Sequence, residues 1–149
     1  MRLEEAIKQK SPFRNQWEKA AVNIIFTHNW MTNQQKQVFK KYGITLQQYN
    51  VLRILRGQHP KPISTSDIRN RMLDRMSDVS RIVDRLVKKD LVIRKICKSD
   101  KRLVDVVIND AGLELLSLID SEEHLKFMAR SLSEAEAEKL NELLDRLRD

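Results

Sequence analysis

The chain lacks what several protein classes require. It has one cysteine, so no internal disulfide can form and a disulfide-built secreted domain is excluded. Three glycines and three prolines are too few for the many tight turns of an all-β chain. No apolar run approaches the ~18 residues that a membrane span needs, so no membrane partner is expected. Residues 1–10 alternate charged and apolar side chains and have no signal-peptide core, which makes a cytoplasmic setting the expectation. There is no glycine-rich phosphate loop, no Gly-x-Ser-x-Gly elbow and no pair of acids in a catalytic pattern. No His or Cys pair has metal-ligand spacing. The expectation is therefore a protein that is not an enzyme and carries neither metal nor cofactor.

What the chain does have is charge, and the charge is segregated. Its 149 residues suit a single domain, with 41% hydrophobic residues to build a core and 33% charged ones. Lys and Arg outnumber Asp and Glu by 28 to 21. Residues 1–60 carry a net +7, residues 61–102 another +7, and residues 103–149 a net −7. Cations are densest in the middle block, and such a basic surface points to a polyanionic partner. A merely solvated charged face is the alternative.

Residues 15–40 read as a long helix, with Trp17, Ala21, Ile24, His28 and Met31 at three- and four-residue steps. Gly43 marks its stop. Thr45 and Gln48 form a capping box for a second helix carrying Leu46, Tyr49, Leu52 and Leu55. Ser64 and Asp67 start a short helix to Met72, and Leu73–Met76 is a turn. The helix from Ser77 places Val79, Ile82, Val83 and Leu86 on one face, and Ser77, Arg81, Asp84, Arg85 and Lys88 on the other. Two β-branched runs, 92–97 and 103–108, enclose a charged tip and read as a hairpin. Asn109 opens a helix reaching to about Arg130, and Ser133 with Glu136 caps a last one. The fold class is mainly α with a small β-hairpin, a winged helix-turn-helix flanked by long terminal dimerisation helices. Residues 41–108 form the winged lobe; residues 1–40 and 109–149 form the helical dimerisation region.

An α-helix fits the major groove of B-DNA, where base edges present distinct donor and acceptor patterns. The outer face of the helix from Ser77 offers short polar groups, Ser77, Asp78 and Ser80, then Arg81 and Arg85. In helix-turn-helix proteins the start of the second helix reads bases. Lys88 and Lys89 fall where phosphates would be. The hairpin tip adds Lys98, Lys101 and Arg102, suited to the negative potential of a narrow minor groove, with Asp100 as an orienting partner.

The run Val79–Val92, then Arg94, then Ser99-Asp100-Lys101-Arg102, then Ile108-Asn109-Asp110-Ala111-Gly112, resembles the signature of the MarR (multiple antibiotic resistance regulator) transcription regulators. The likeness runs from about Tyr42 to Leu116, and the flanking helices match the family layout. It implies an obligate homodimer that represses transcription by covering a pseudo-palindromic operator. It also implies that a wing arginine, here Arg102 beside Lys101 and steadied by Asp100, enters the minor groove. Asp90 stands where the family usually has glycine, and Asp tolerates the left-handed backbone that such a turn requires. The wing has Lys101 where the family often has arginine.

The chain ends also point to a dimer. Leu140, Leu143, Leu144 and Leu147 form a stripe with little core left to cover, and Leu3 and Ile7 share that problem at the other end. Pairing two copies would bury both, although packing within one copy is the alternative. His28 reads either as a packed core histidine or, with Trp17 and Trp30, as the lining of a small-molecule effector pocket. Cys97 reads as a structural residue of the wing strand. The function expected is a sequence-specific, ligand-responsive repressor of double-stranded DNA. The alternatives are a non-specific architectural DNA binder and a helical protein-interaction module.

Overall fold

The computed structural model describes residues 1–96, 104–122 and 131–149. Its elements are α1 (Leu3–Ala6), α2 (Gln16–Lys41), α3 (Leu46–Arg56), β1 (Ile63–Ser64), α4 (Thr65–Arg71), α5 (Val79–Lys88), β2 (Val92–Ile96), β3 (Val104–Ile108), α6 (Asp110–Asp120) and α7 (Glu134–Arg148). The helix starts follow their caps. The Thr45 hydroxyl accepts from the Gln48 N–H at 3.1 Å while the Gln48 side chain accepts from the Thr45 N–H at 3.1 Å. Ser133 and Glu136 repeat this box at α7, while Ser64 and Asn109 cap α4 and α6 by a single bond, each satisfying an N–H that a helix leaves orphaned at its start.

The sheet has three strands in the order β1–β3–β2, all antiparallel, with Ile63 opposite Val106 and Val92 opposite Ile108. The sequence shows a two-stranded hairpin; β1 is the addition. Its Ile63 is buried beside Val106, which ties the start of the helix-turn-helix to the base of the wing.

Phe39, Leu52, Leu55, Ile68, Val83, Leu86, Ile108, Leu116 and Ile119 build one core, enclosed by α3 to α6, the sheet and the last turn of α2. Within α2 only Val38 and Phe39 are buried, and within α7 no residue is. Phe39 stacks on Tyr49 with ring centroids 4.4 Å apart, which joins the end of the long helix to α3.

Three residues have left-handed backbone, the first being Lys8 after α1, with φ +54°. Gly43 has φ +64°. Asp90, after α5, has φ +55°, the left-handed conformation expected of that position. The sequence expectation for the helix after Asn109 is corrected: α6 stops at Asp120, and residues 123–130 lie outside the described residues. At the stop the Ser121 hydroxyl donates to the Leu118 carbonyl at 2.7 Å. The acidic groups there are drawn outward, Asp120 to Arg56 at 2.6 Å and Glu122 to the Tyr42 hydroxyl at 2.7 Å and Lys41 at 3.3 Å. These three contacts join the end of α6 to α2 and α3. The carboxylate of Glu122 also raises the pKa of the Tyr42 phenol above its ordinary value, with partial burial adding to it.

Candidate nucleic-acid interface

Helix α5 is divided lengthwise. Val79, Val83 and Leu86 are wholly buried, while Ser80, Arg81, Arg85 and Lys88 are exposed. The apolar stripe fixes the rotation of the helix, and the rotation aims the arginines outward. A second restraint comes from β2, where the Arg94 guanidinium donates to the Asp84 carboxylate. Arg94 enters the sequence reading only as part of the family pattern; here it locks the wing strand to the helix.

The start of α5 differs from the sequence reading. Its cap is Asp78, one residue after Ser77, and the Asp78 carboxylate accepts from the Arg81 N–H at 3.2 Å. The other Asp78 oxygen lies 3.3 Å from Arg81 Nε. Asp78 thus caps the helix and steers Arg81, both being local tasks. The Ser77 hydroxyl oxygen is buried and has no hydrogen-bond partner among the described residues, so it is not offered to a base edge. Lys89 is also reassigned. Its ammonium donates to the Gly43 carbonyl, stitching the end of α5 to the α2–α3 turn rather than waiting for a phosphate.

Arg81 and Arg85 line a shallow cleft of about 390 Å³ together with Thr45 and Gln47 at the start of α3, and Met76 and Asp78. Sequence reading missed Gln47 and Met76. The first follows a recognisable cap and the second sits in a recognisable turn, but only the packing of α3 beside α5 brings them to one place. The wing residues Lys98, Asp100, Lys101 and Arg102, and Cys97, lie outside the described residues.

A larger groove of about 1290 Å³ runs between α2 and α3. His28, Met31, Thr32, Gln35 and Lys36 line one side, and Tyr49, Asn50 and Arg53 the other, with Leu73 and Asp74 at one end. His28 is exposed in this groove, so the core-histidine reading is set aside. The expected company of Trp17 and Trp30 is corrected too, for neither lines the groove. Two helix positions rotate by about 200°, which sends Trp30 to the other side from His28. Trp17 shares the side of His28 but lies about 16 Å away along the axis. Arg53 donates to the Tyr49 hydroxyl at 3.1 Å, which raises its pKa further and presents a fixed cation to the groove.

Comparison with known proteins settles the relationship. The MarR family model matches residues 44–104. The regulator MhqR of Bacillus subtilis is 30% identical over 109 residues, covering 72% of this chain and 74% of MhqR. The chain belongs to the MarR family. The crystal structure of a MarR transcription factor from Planctomyces limnophilus shares 32% identity with a TM-score of 0.67, covering 92% of this chain and 98% of that one. A MarR variant from E. coli, solved with operator DNA, shares the fold, with a TM-score of 0.76 at 21% identity over 92% of this chain and 99% of its own.

In this MarR-family protomer the uncovered apolar surface concentrates on α2 and α7. Trp17 is 83% exposed and Ile25 62%, and on α7 Leu143 and Leu147 are 49% and 67% exposed, with Leu140 also exposed and Leu144 half-buried. At the other end the expectation needs correcting. Leu3 is already buried within the protomer and Ile7 half-buried, and the Glu4 carboxylate meets Lys19 at 2.5 Å, joining α1 to α2. Leu3 therefore leaves little for a partner copy to cover.

Proposed function

We propose that this MarR-family regulator acts as a cytoplasmic homodimer that covers a pseudo-palindromic DNA operator and represses transcription until a small molecule draws it away. It works by binding and not by catalysis. The observation that carries this reading is the division of α5, with its apolar stripe wholly buried and Arg81 and Arg85 exposed along the same cleft. Residues 41–108 form the DNA-binding lobe; residues 1–40 and 109–149 join the two copies. Arg81 and Arg85 reach base edges in the major groove, where arginine pairs with guanine through two hydrogen bonds. Ser80 lies on the same face, and Lys88 serves a phosphate. The wing residues Lys98, Asp100, Lys101 and Arg102 are assigned to the neighbouring minor groove on the sequence pattern. Two-fold pairing sets the recognition helices about 34 Å apart, one helical turn of DNA.

The groove beside His28 is the proposed effector site. Its lining joins α2, proposed for the dimer, to α3 of the DNA-binding lobe, and it ends at Leu73 and Asp74, just before α5. A ligand that prefers one angle between lobe and dimer helices shifts the population by its differential affinity for the two states.

Gel shifts test the reading. The full chain is expected to prefer duplex from its own upstream region over random duplex by about 10³-fold or more at physiological salt. The affinity should fall steeply as salt rises, because phosphate contacts release counterions. Equal affinity for both duplexes would instead make it an architectural DNA binder, and no binding to either would remove the reading.

Arg81→Ala is expected to relax sequence preference at one position per half-site, at a cost of about 1–3 kcal/mol on the preferred sequence. Site selection with the variant reads this directly. An unchanged base preference would mean that Arg81 does not face the groove.

A further inference from the structure

Met76 is 91% exposed, although it stands at the foot of a well-packed helix. Its backbone is held in place, the N–H donating to Asp74 Oδ1 at 3.0 Å. It borders the same cleft as Arg81 and Arg85, so an unpaired apolar side chain sits among the cations proposed to approach the duplex. Leu73, nearly as exposed, lines the other groove, which separates the two apolar residues of this turn by function.

In the major groove, the C5-methyl of thymine is the apolar feature that a side chain can read. Methionine is unbranched and adaptable, and fits a methyl approached at the edge of a helix. Arg81 and Arg85, set on base edges along the same cleft, hold this edge of the protein against the bases. We infer that Met76 is a specificity-determining residue that reads a thymine methyl in each half of the operator. This rests on the DNA-binding reading above and assigns it a base contact that is not a hydrogen bond.

The test uses duplex enriched from a random library by the full-length protein. Each thymine of the enriched site is replaced singly by deoxyuridine, which keeps the base pair and removes only the methyl. The wild-type protein should lose about fourfold in affinity at one thymine per half-site, the amount expected for one buried methyl-sized group. Met76→Ala, which removes the contact in both copies, should bind the thymine duplex about 16-fold more weakly and no longer distinguish it from the deoxyuridine duplex at that position. Met76→Leu, which keeps an apolar side chain, should restore the distinction. Because the side chain is exposed, thermal unfolding should be unchanged in both variants. A wild-type protein indifferent to every thymine replacement overturns the assignment while leaving DNA recognition standing. So does Met76→Ala with its thymine preference intact. Failure of the library to enrich any sequence overturns the operator reading itself, and this assignment with it.

Discussion

Gly112→Ala is expected to destabilise the protein by about 3 kcal/mol, through overpacking of a site that has no room to yield. A Cβ at this position would press on the Leu91 carbonyl oxygen and stand 2.6 Å from Ile108 Cγ1. The first obstacle is backbone, and Ile108 is itself buried in the core. Neither can turn away as the end of a flexible side chain does. The close approach exists because the Asn109 N–H donates to the Leu91 carbonyl at 3.2 Å while its side chain caps α6 by accepting from the Gly112 N–H at 2.9 Å. One asparagine thus pins the first turn of α6 to the residue before β2. Alanine's higher helix propensity offsets only about 1 kcal/mol of the strain. Gly57→Ala provides the control, since its new Cβ would meet nothing closer than 3.6 Å and the backbone is already helical there. Thermal unfolding should show a fall of about 10 °C for Gly112→Ala and little change for Gly57→Ala. A midpoint within two or so degrees of wild type would show that α6 can lift from the sheet at small cost.

Local chemistry in the sequence was enough to place most of this fold. The caps at Thr45, Ser64, Asn109 and Ser133 are short-range hydrogen-bond patterns, and short-range patterns survive folding unchanged. The buried stripe of α5 follows from a period of 3.6, and it in turn determines which arginines face outward. The left-handed turn at Asp90 was legible through the family resemblance, which puts glycine at that position.

What stayed hidden depends on contacts between distant residues. β1 is two residues long and has no period to read; it exists because Val106, over forty positions later, pairs with Ile63. Lys89 looks like any other cation at the end of a basic helix until the Gly43 carbonyl is placed beside it. The lining of the groove was half legible. Positions 28, 31, 32, 35 and 36 share one side of α2 by simple rotation, but the opposite wall, from Tyr49 to Arg53, comes from another element. Leu125 and Met128, in step with the apolar residues before Asp120, suggested a longer helix, because apolar periodicity does not register the pull of Arg56, Tyr42 and Lys41 on the acidic residues at its end.

Replacing Leu143 and Leu147 together by aspartate is expected to convert the protein to a monomer and to lower its affinity for a two-half-site operator by about 10²-fold or more, the loss of linkage between two half-site contacts. Helix α7 has fifteen residues and buries none of them in its own protomer. An isolated helix of that length is marginal in water, so its leucines need a partner surface. Trp17 and Ile25 on α2 offer apolar surface in equal need of cover, and a two-fold axis lets one copy supply what the other lacks. Two buried carboxylates per copy would meet no compensating charge in such a seam, a cost of several kcal/mol at each end. The core from Val38 to Ile119 contains no residue of α7, so the lobe should keep its fold in the monomer and still bind a single half-site weakly. Sedimentation would read the mass, and gel shifts on one and two half-sites would read the linkage. A double variant that remains dimeric at micromolar concentration would place the seam elsewhere on the chain. One that is monomeric yet binds the full operator as tightly as wild type would separate dimerisation from recognition, and the spacing of the two α5 helices would then have no part in choosing the operator.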